Sequence, residues 1–271
     1  MNIADPVFPE RDGVRHAVRV LAQGVPRHAL VDGERLALLD AAPWDGGHRD
    51  GATIARANAR YLVPCVPGKI VCIGVNYADH AKESVSVSAL PDEPVLFMKP
   101  PSSLLAHGGT ILLPVGVGRV DHESEMAIVI GRRTVRAGRD EARAAIAGVT
   151  AVNDVSARVL QKKDGQFTRA KGFDTFCPLG PSVALGLDPD DLGVIARVNG
   201  AVRQDSRTSQ LHVGAVDLVV FISNVMTLEP GDVISTGTPA GVAPLAPGDT
   251  VSIEIEGLGP LVNDVRERPG A

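Results

Sequence analysis

Turn signals divide most of this sequence into short segments rich in β-branched residues, and this pattern constrains the fold more than any other feature. Residues 69–74 and 126–131 each contain a continuous apolar run of strand length, as expected for buried strands. Residues 251–257 alternate strictly between apolar and polar side chains, which predicts a half-buried strand. The pattern therefore indicates a chain built mainly from strands.

Helix signals are fewer. Residues 140–146 predict a short helix, with Asp140 as its N-cap and Gly148 ending it. Residues 213–226 predict a second helix. Because the helices do not alternate regularly with the strands, a doubly wound sheet is not expected. The sequence predicts an α+β, predominantly β fold.

The N-terminal part of the chain is predicted to be a small strand-rich domain. The turn that begins at Asp32 lies between two strand-like segments and is a hairpin signal. Pro64 and Pro67 resist both helix and central strand, so the stretch around them indicates a linker. We therefore divide the chain into residues 1–65 and residues 66–271.

Composition excludes several classes of protein. Aromatic residues make up 3% of the chain, the net charge is -5, and no Lys/Arg-rich block stands out, so we expect no nucleic-acid-binding surface. The 3 cysteines contain no CxxC pair, which argues against a disulfide framework or a zinc knuckle. The opening residues are too polar for a secretory signal, and the apolar runs are too short to span a bilayer. We expect a cytoplasmic protein that does not bind membranes.

Acidic residues at the ends of two apolar runs suggest a metal site. In a strand, Glu123 and Glu125 would share a face while His122 points the other way. A lone Glu-x-Glu pair is more often a solvated strand end, because acidic residues are mostly exposed. Asp154, at the end of another apolar run, can supply a third carboxylate. Three carboxylates suit magnesium, manganese or calcium better than zinc.

Three further segments carry candidate chemistry. His80 and Glu83 are helix neighbours at i and i+3, so the carboxylate could orient the imidazole as a general base, although the spacing alone fits a plain surface helix turn better. The polar segment that follows, residues 84–91, is expected to be a mobile lid. Lys171 lies in a Gly/Pro-punctuated loop and is either a ligand for an anionic oxygen or a solvated lysine. Thr238 lies in a Gly/Thr turn that could hold a carboxylate or be a plain tight turn.

Taken in order, these segments resemble the fumarylacetoacetate hydrolase family. The resemblance runs from about Pro67 to the C-terminus, and it is carried by the motifs GVNYADHAKE, PVLFMKPPSSL, DHESEMAIVIG, AVNDVSAR, AKGFDTFCPLGP and LEPGDVISTGTPAG. One departure is His122, which stands where such sequences commonly have an aromatic residue. Strand alternation turns this side chain away from the acidic residues.

The resemblance implies a mixed β-roll catalytic domain, often preceded by a small N-terminal domain, in a homodimer. It implies Mg²⁺ or Mn²⁺, with Ca²⁺ as a further option, on Glu123, Glu125 and Asp154. It also implies a catalytic role for the remaining candidates of the active site, His80, Glu83 and Lys171. Substrate contacts would fall on Tyr77, Arg158, Gln161 and Thr238.

Members of this family act on 2-oxo or 1,3-diketo acids, so the expected partner is a small 2-oxo acid. The presence of His80 and Glu83 modestly favours hydrolysis of a C–C bond in an acylpyruvate-like substrate. Decarboxylation or isomerisation of a 2-oxo or 2-hydroxy-diene dioate would use the same enolate chemistry. A non-catalytic metal- or ligand-binding domain and a structural calcium protein are the alternatives from other classes.

Overall fold

The structure is a computed structural model that describes residues 5–83 and 90–270. Its strands are β1 (Arg15–Ala22), β2 (Val25–Asp32), β3 (Arg35–Leu39), β4 (Arg49–Ala55), β5 (Arg60–Leu62), β6 (Ile70–Gly74), β7 (Val95–Lys99), β8 (Leu104–Leu105), β9 (Thr110–Leu113), β10 (Val120–Asp121), β11 (Ser124–Ile130), β12 (Ile146–Asn153), β13 (Ser156–Ala157), β14 (Cys177–Leu185), β15 (Gly193–Val198), β16 (Ala201–Arg207), β17 (Val233–Ser235), β18 (Thr250–Ile255) and β19 (Leu261–Glu267). Its α-helices are α1 (Ala78–Glu83), α2 (Arg139–Ala145), α3 (Arg158–Asp164), α4 (Thr168–Lys171) and α5 (Ala215–Val225). The predominantly β, α+β fold predicted from the sequence is confirmed.

The strands form two main sheets. The larger has the order β4-β3-β2-β1-β14-β12-β11-β17-β6-β7, with β5 on β1 and β8 on β14. The second has the order β16-β15-β18-β19-β9, and β10 pairs with β13 in a separate two-stranded ladder. Parallel pairs, such as β17 with β6, occur among antiparallel ones, so the architecture is mixed.

The large sheet curls upon itself. β7 ends the strand order, yet it leads directly into β8, which pairs with β14 on the far side of β12. Across a flat sheet, β7 and β12 would be about 19 Å apart, at about 4.8 Å for each strand step. Lys99, the last residue of β7, nevertheless lies 2.7 Å from Asp154, which follows β12. The curl therefore brings the two ends of the sheet together around one site.

Both faces of the central strands are buried, which explains why β11 reads as a continuous apolar run. Met126, Ile128 and Ile130 enter one core cluster, which also contains helix α5 and side chains of the second sheet. Ala127 and Val129 enter another cluster, on the opposite face of the same strand. This double burial fixes the register of β11, because a shift by one residue would exchange every side chain between the two clusters.

The sequence located both helices within two residues but assigned the wrong residues to the N-cap and the end of the first. Asp140 is not the N-cap of α2. Gly138 holds that position, and its N–H donates to the Glu141 carboxylate at 3.1 Å. The helix also ends before Gly148, because β12 begins at Ile146. Gly148 instead lies against β14, where an added Cβ would meet the Ala184 carbonyl oxygen at 2.4 Å.

The first five strands continue the large sheet. The hairpin turn predicted at Asp32 joins β2 to β3, and Gly33 has the positive φ of 56° that such a turn requires. β1 pairs with β14, so this part of the chain shares a sheet with the C-terminal part. The division of the chain at residue 65 into two domains stays a prediction.

None of the helices in the described ranges has the length and apolar character needed to cross a bilayer. Of the segment predicted to be a lid, residues 84–89 lie outside the described residues.

Candidate metal centre and active-site cavity

The three acidic residues predicted as metal ligands lie together. Glu123 immediately precedes β11, Glu125 is its second residue, and Asp154 follows the last residue of β12. Ser124 of β11 pairs with Asn153 of β12, and the Asp154 N–H donates to the Glu123 carbonyl at 2.9 Å. The antiparallel register thus places the ends of the two strands side by side. The carboxylates are buried, and one oxygen of each lies within 4.8 Å of the others.

The neighbours of Glu123 in the chain face away from this triad. His122 Nδ1 lies 3.1 Å from Gln204 Oε1, which also accepts the Ser124 N–H at 2.9 Å. Because Gln204 uses this oxygen as an acceptor and its Nε2 donates to the Pro239 carbonyl, His122 carries its proton on Nδ1. The departure at His122 therefore leaves the triad side of the strand unchanged.

Cationic side chains compensate two of the three carboxylates. Lys171 Nζ lies 2.8 Å from Glu123 Oε2 and also donates to Asp154 Oδ2. Lys99 Nζ lies 2.7 Å from Asp154 Oδ1, and Arg158 Nη2 lies 2.6 Å from Glu123 Oε1. Burial alone would raise the pKa of Glu123, but Lys171 and Arg158 hold that pKa well below its usual range.

Among the described residues, Glu125 forms hydrogen bonds only with neutral donors. Its Oε2 accepts the Gly237 N–H at 2.8 Å and the Ser235 hydroxyl. Burial, followed by the charges of Asp154 and Glu123, raises the pKa of Glu125 to about 8. A divalent cation would remove this repulsion, since it would interact with all three carboxylates at once.

The triad therefore fits a hard divalent cation on two observations. All three donors are carboxylate oxygens, which is the ligand chemistry of Mg²⁺ and Mn²⁺. The Lys171 ammonium already lies between Glu123 and Asp154 as a positive charge. The buried acidic triad can thus hold a metal ion.

A cavity of about 330 Å³ opens beside the triad. Glu123, Glu125 and Lys171 form part of its wall, together with His80 and Phe97. The Lys171 ammonium lies 4.8 Å from the centre of the Phe97 ring, which limits the directions that this side chain can take. The cavity is large enough for a small organic acid.

The turn between β6 and α1 sets the position of His80. Val75 has a φ of 55°, which a β-branched residue adopts only under strain. Asn76 holds the turn in place, because its side chain donates to the Val213 and Thr236 carbonyls and accepts the Val213 N–H. Gly237 allows this approach, since an added Cβ there would lie 2.8 Å from the Asn76 Cβ. The sequence motif around His80 is therefore anchored through its asparagine.

His80 and Glu83 both line the cavity, but the structure does not join them by a hydrogen bond. Glu83 Oε2 accepts the Gly241 N–H at 2.8 Å. His80 Nδ1 is buried and has no hydrogen-bond partner within the described residues. Burial lowers the pKa of His80, against the opposing charge of Glu123, so its imidazole is neutral near pH 7.

Of the four substrate contacts implied by the resemblance, three line the cavity and one does not. Arg158 and Gln161 line the cavity and are hydrogen-bonded to each other at 3.0 Å. Thr238 also lines it, while its hydroxyl donates to the Ser124 carbonyl at 2.9 Å. Tyr77 is 1% exposed and is not among the described residues that line the cavity.

Several residues at this site were not singled out from the sequence. Asp121, at 1% exposure, accepts hydrogen bonds from both Arg119 and Arg158. Lys162 lines the cavity and forms no ion pair with any residue in the described parts of the chain. The lysine of PVLFMKPPSSL, Lys99, is fully buried against Asp154. Asp121 and Lys99 lie inside the quoted motifs, and a charged residue within an apolar motif was the signal that could have marked them.

A predominantly β fold with a buried carboxylate triad beside a cavity defines a protein that can hold a hard divalent cation next to a small ligand. Residues 69–266 match the family model described as fumarylacetoacetate (FAA) hydrolase, C-terminal. Residues 15–64 match a second model, described as Rv2993c-like, N-terminal. The first match covers more than half of the chain, so the chain belongs to the fumarylacetoacetate hydrolase family, and it is an enzyme of that family.

The chain is similar to curated proteins from all domains of life. It is 49% identical over 201 residues to an uncharacterized protein of Methanocaldococcus jannaschii, covering 74% of this chain and 84% of the relative. It is 41% identical over 279 residues to the Bos taurus protein named oxaloacetate tautomerase FAHD2A, mitochondrial, covering 98% of this chain and 82% of that protein.

Two solved structures extend the comparison. A protein described as 2-hydroxyhepta-2,4-diene-1,7-dioate isomerase, from Mycobacterium marinum, is 40% identical, with a TM-score of 0.87 over 94% of this chain and 100% of that chain. Maleylpyruvate hydrolase from Sphingobium sp. SYK-6, in complex with manganese(II) and pyruvate, is 28% identical, with a TM-score of 0.76 over 94% of this chain and 100% of that chain.

Proposed function

We propose that this enzyme is a divalent-metal-dependent isomerase that interconverts the enol and keto forms of a 2-oxo dicarboxylic acid. The observation that carries the proposal is the hydrogen bonding of His80 and Glu83. His80 Nδ1 has no hydrogen-bond partner within the described residues, while Glu83 is bound to the Gly241 amide. This arrangement suits a single base that moves one proton better than a His–Glu pair assembled to activate water.

Glu123, Glu125 and Asp154 would hold Mg²⁺ or Mn²⁺. The manganese in the similar maleylpyruvate hydrolase structure supports a cation of this class. A divalent cation bound there would act as a Lewis acid toward the 2-oxo acid group of the substrate. The triad would supply three carboxylate groups to the cation, and the adjoining cavity would hold the substrate beside it.

Lys171 would stabilise the negative charge that develops on the substrate oxygen. In the structure, the Lys171 ammonium is paired with the carboxylates of Glu123 and Asp154. Once another cation compensates those carboxylates, Lys171 can donate to an oxygen in the cavity, which it already lines. Burial alone would lower the pKa of Lys171, but the charges of Asp154 and Glu123 raise it, so the side chain is a charged donor.

His80 would move the proton. In enol–keto isomerisation one proton leaves the enol oxygen and one binds the neighbouring carbon, while the C=C double bond becomes single and the C–O bond becomes a C=O double bond. No single bond between heavy atoms breaks. The imidazole of His80 is neutral near pH 7, so it can accept this proton at one position and return it at the other. Its place in the cavity wall gives it access to a substrate bound beside the triad.

The second carboxylate of the substrate would meet the cationic part of the cavity wall. Lys162 and Gln161 lie on α3 and line the cavity. The Lys162 ammonium has no ion-pair partner in the described parts of the chain, so it is available to a ligand. Arg119 also lines this wall but is committed to Asp121, with Nε 2.6 Å from Oδ1. A distal carboxylate on the substrate could therefore pair with Lys162.

The names of the relatives support isomerisation over the other reactions. The tautomerase and the isomerase are 41% and 40% identical to this chain, whereas a fumarylacetoacetate hydrolase from Exiguobacterium antarcticum is 33% identical and maleylpyruvate hydrolase is 28% identical. The same comparison supports a diacid substrate, because oxaloacetate and 2-hydroxyhepta-2,4-diene-1,7-dioate are both dicarboxylates. Decarboxylation would use the same enolate, and the structure offers no observation that favours it.

Hydrolysis of an acylpyruvate is the second candidate. It is favoured by the i and i+3 positions of His80 and Glu83 on α1, a spacing at which helical side chains are neighbours. His80 would then deprotonate a water molecule for attack on the distal carbonyl, and Lys171 would stabilise the pyruvate enolate that leaves. The similarity to maleylpyruvate hydrolase supports this alternative.

The two candidates are separated by one assay. Purified protein, stripped with a chelator and reloaded with Mg²⁺ or Mn²⁺, is mixed with enol-form oxaloacetate, a 2-hydroxy-diene dioate and several acylpyruvates. We expect metal-dependent loss of the enol absorbance, with the carbon skeleton intact by mass spectrometry. Faster release of pyruvate from an acylpyruvate would establish the hydrolase instead. Enol loss that is unaffected by the chelator would overturn the metal-dependent mechanism.

The oligomeric state expected from the resemblance is a homodimer, and we propose it here as well. Val95 and Met98 lie on β7, the end strand of the large sheet, and are 42% and 43% exposed. A second copy of the chain would cover these apolar side chains. Size-exclusion chromatography with light scattering should give about twice the chain mass of 28.3 kDa, and a mass equal to one chain would reject the dimer.

A further inference from the structure

Lys99 is a charged residue that the proposed reaction does not use. It ends β7, its side chain is 0% exposed, and its ammonium lies 2.7 Å from Asp154 Oδ1 and 3.4 Å from the Val155 carbonyl oxygen. Burial of an ammonium group is costly unless the charge is paired and hydrogen-bonded. The fold therefore holds the Lys99 ammonium in a fixed position beside Asp154, one of the candidate metal ligands.

Asp154 accepts a lysine on each of its two oxygens, and the two lysines differ in their surroundings. Lys171 binds Oδ2 and lines the cavity, where a substrate oxygen can replace the carboxylate as its partner. Lys99 binds Oδ1 and is not among the described residues that line the cavity. Lys171 can thus exchange partners when a cation binds, whereas Lys99 has no second anionic partner to turn to within the described residues.

We propose that Lys99 is a positioning residue that makes Asp154 a one-oxygen ligand and thereby selects Mg²⁺ or Mn²⁺ over Ca²⁺. The inference rests on the metal site of the proposed function. Lys99 keeps Asp154 Oδ1 in a hydrogen bond. Only Asp154 Oδ2 is then available to the cation, once Lys171 no longer donates to that oxygen. Mg²⁺ requires near-octahedral geometry with one oxygen from each ligand, whereas Ca²⁺ takes 6–8 oxygens and readily binds both oxygens of a carboxylate. Blocking the second oxygen therefore disfavours the larger ion.

The ratio of affinities separates this role from a simple effect of charge. Lys99 also repels any cation, so its removal strengthens the binding of every divalent ion by electrostatics alone. Mg²⁺ and Ca²⁺ carry the same charge, so that contribution cancels in the ratio of their dissociation constants. A change in the ratio reports the geometry of Asp154, and a structural role for Lys99 alone would leave the ratio unchanged.

The test compares Lys99→Met with Lys69→Met. Lys69 forms a similar ion pair with Asp232, which lies at 1% side-chain exposure and is not one of the triad residues, so its variant controls for the loss of a buried charge pair. Dissociation constants for Mg²⁺ and Ca²⁺ are measured by calorimetry on the chelator-treated proteins. We expect Lys99→Met to lower the preference for Mg²⁺ about tenfold, at the lower end of the effect seen for residues that orient metal ligands. Lys69→Met should keep the ratio of the unmodified protein.

A second measurement does not depend on whether the Lys99→Met variant folds. Nitrogen-15 NMR of the lysine ammonium groups, recorded with and without Mg²⁺, should show a slowly exchanging signal from Lys99 that keeps its position. The Lys171 signal, assigned with Lys171→Arg, should move or broaden when Mg²⁺ is added. An unchanged Mg²⁺/Ca²⁺ ratio in Lys99→Met, or a Lys99 signal lost on Mg²⁺ binding, would overturn the inference alone. Failure of the unmodified protein to bind either cation would overturn the proposed function together with it.

Discussion

The ammonium of Lys171 lies 2.8 Å from Oε2 of Glu123, so the chain itself supplies a positive charge on one side of the acidic triad. The charges around the triad are therefore unequal. Glu123 and Asp154 are paired with cations, while Glu125 has only the Ser235 hydroxyl and the Gly237 amide as hydrogen-bond partners in the described parts of the chain. The three carboxylates should respond differently to mutation.

We predict that Glu125→Gln stabilises the metal-free protein, whereas Asp154→Asn destabilises it. Burial and the neighbouring carboxylates raise the pKa of Glu125 to about 8, so this side chain must bind a proton when the metal-free chain folds, whereas glutamine is neutral without one. The glutamine also keeps an acceptor for the Gly237 amide. The asparagine leaves Lys99 and Lys171 without a full counter-charge, and breaking a buried pair in this way costs about 3–5 kcal/mol. The free energy of unfolding, measured by urea titration with a chelator present, compares the two variants with the unmodified protein.

Removal of a carboxylate should therefore relieve repulsion at Glu125 but not at Asp154. Both variants should lose most Mn²⁺ binding, which calorimetry measures independently of stability. Equal destabilisation by the two substitutions would contradict the charge distribution, and full Mn²⁺ binding in both would remove the triad as the metal site. Glu229→Gln, at an exposed position, serves as the control for the loss of a carboxylate.

We predict that His80→Asn lowers kcat by about a hundredfold while Mn²⁺ affinity is unchanged, because general-base groups contribute about 10²–10⁴-fold. His80 lines the cavity and is not one of the three clustered carboxylates, so its removal should affect proton transfer and not the cation. Steady-state kinetics on the best enol substrate, together with Mn²⁺ titration, gives both quantities. Unchanged kcat would remove His80 from the mechanism.

Two substitutions of Glu83 can be compared with each other, because Gln removes only the charge of the side chain, whereas Ala also removes its hydrogen-bond acceptor. Glu83→Gln keeps an oxygen that can accept the Gly241 N–H, whereas Glu83→Ala loses that hydrogen bond. If Glu83 holds the Gly241 loop, we expect near-normal kcat for Gln and a large loss for Ala. If both variants lose kcat equally, the charge of Glu83 acts on His80, and hydrolysis through a His–Glu base becomes the better interpretation.

The acidic triad could be predicted because its geometry is local to two strands. Alternation along β11 places Glu123 and Glu125 on one face, and the pairing of Ser124 with Asn153 brings Asp154 beside them. The strand and hairpin positions could be predicted for the same reason, since residue pattern and turn chemistry act over a few positions.

The position of Lys99 could not be predicted from local pattern. It lies 55 residues before Asp154, and the two meet only because the large sheet curls and brings its ends together. The hydrogen bond from Gly241 to Glu83 likewise spans 158 residues. Such contacts depend on strand order, which a single sequence does not specify. The ends of α2 were misplaced because β12 begins directly after the helix and Gly148 serves the packing of β14.

We predict that Lys162→Met raises KM for dicarboxylate substrates by about tenfold, the effect of about 1.4 kcal/mol, and leaves KM for monocarboxylate analogues unchanged. Lys162 is the cation available to a distal carboxylate, so its loss should matter only when that group is present. Lys163→Met is a matched control, because Lys163 is the next residue of α3 and does not line the cavity. Equal changes in KM for both substrate classes would reject a distal carboxylate at Lys162.

The last prediction concerns pH and the N-terminal strands, away from the proposed active site. Burial, followed by the charge of Arg19, lowers the pKa of His28 to about 4, against the weaker opposing charge of Asp45. Arg19 faces His28 across the β1–β2 pair, and the Trp44 ring packs edge-on at 5.6 Å between centroids. His28 Nδ1 is buried without a hydrogen-bond partner in the described parts of the chain, so the neutral imidazole is the form that this site accepts.

The direction of the pH effect follows from these pKa values. The unfolded chain binds a proton at His28 near pH 6.5, while the folded chain resists it until about pH 4. The stability contributed by the neutral imidazole is therefore fully present above pH 6.5 and is lost as the pH falls toward 4. His28→Phe keeps an aromatic ring beside Trp44 but cannot bind a proton, so its melting temperature should fall less steeply than that of the unmodified protein over this range. The single tryptophan, Trp44, reports the transition by fluorescence.

Burial also lowers the pKa values of other histidines, so the slope should be reduced and not abolished; these are His16, His80 and His122. His48→Phe, at an exposed position, is the control for replacing a histidine with phenylalanine, and an equal slope in His28→Phe and the unmodified protein would show that His28 does not contribute to it.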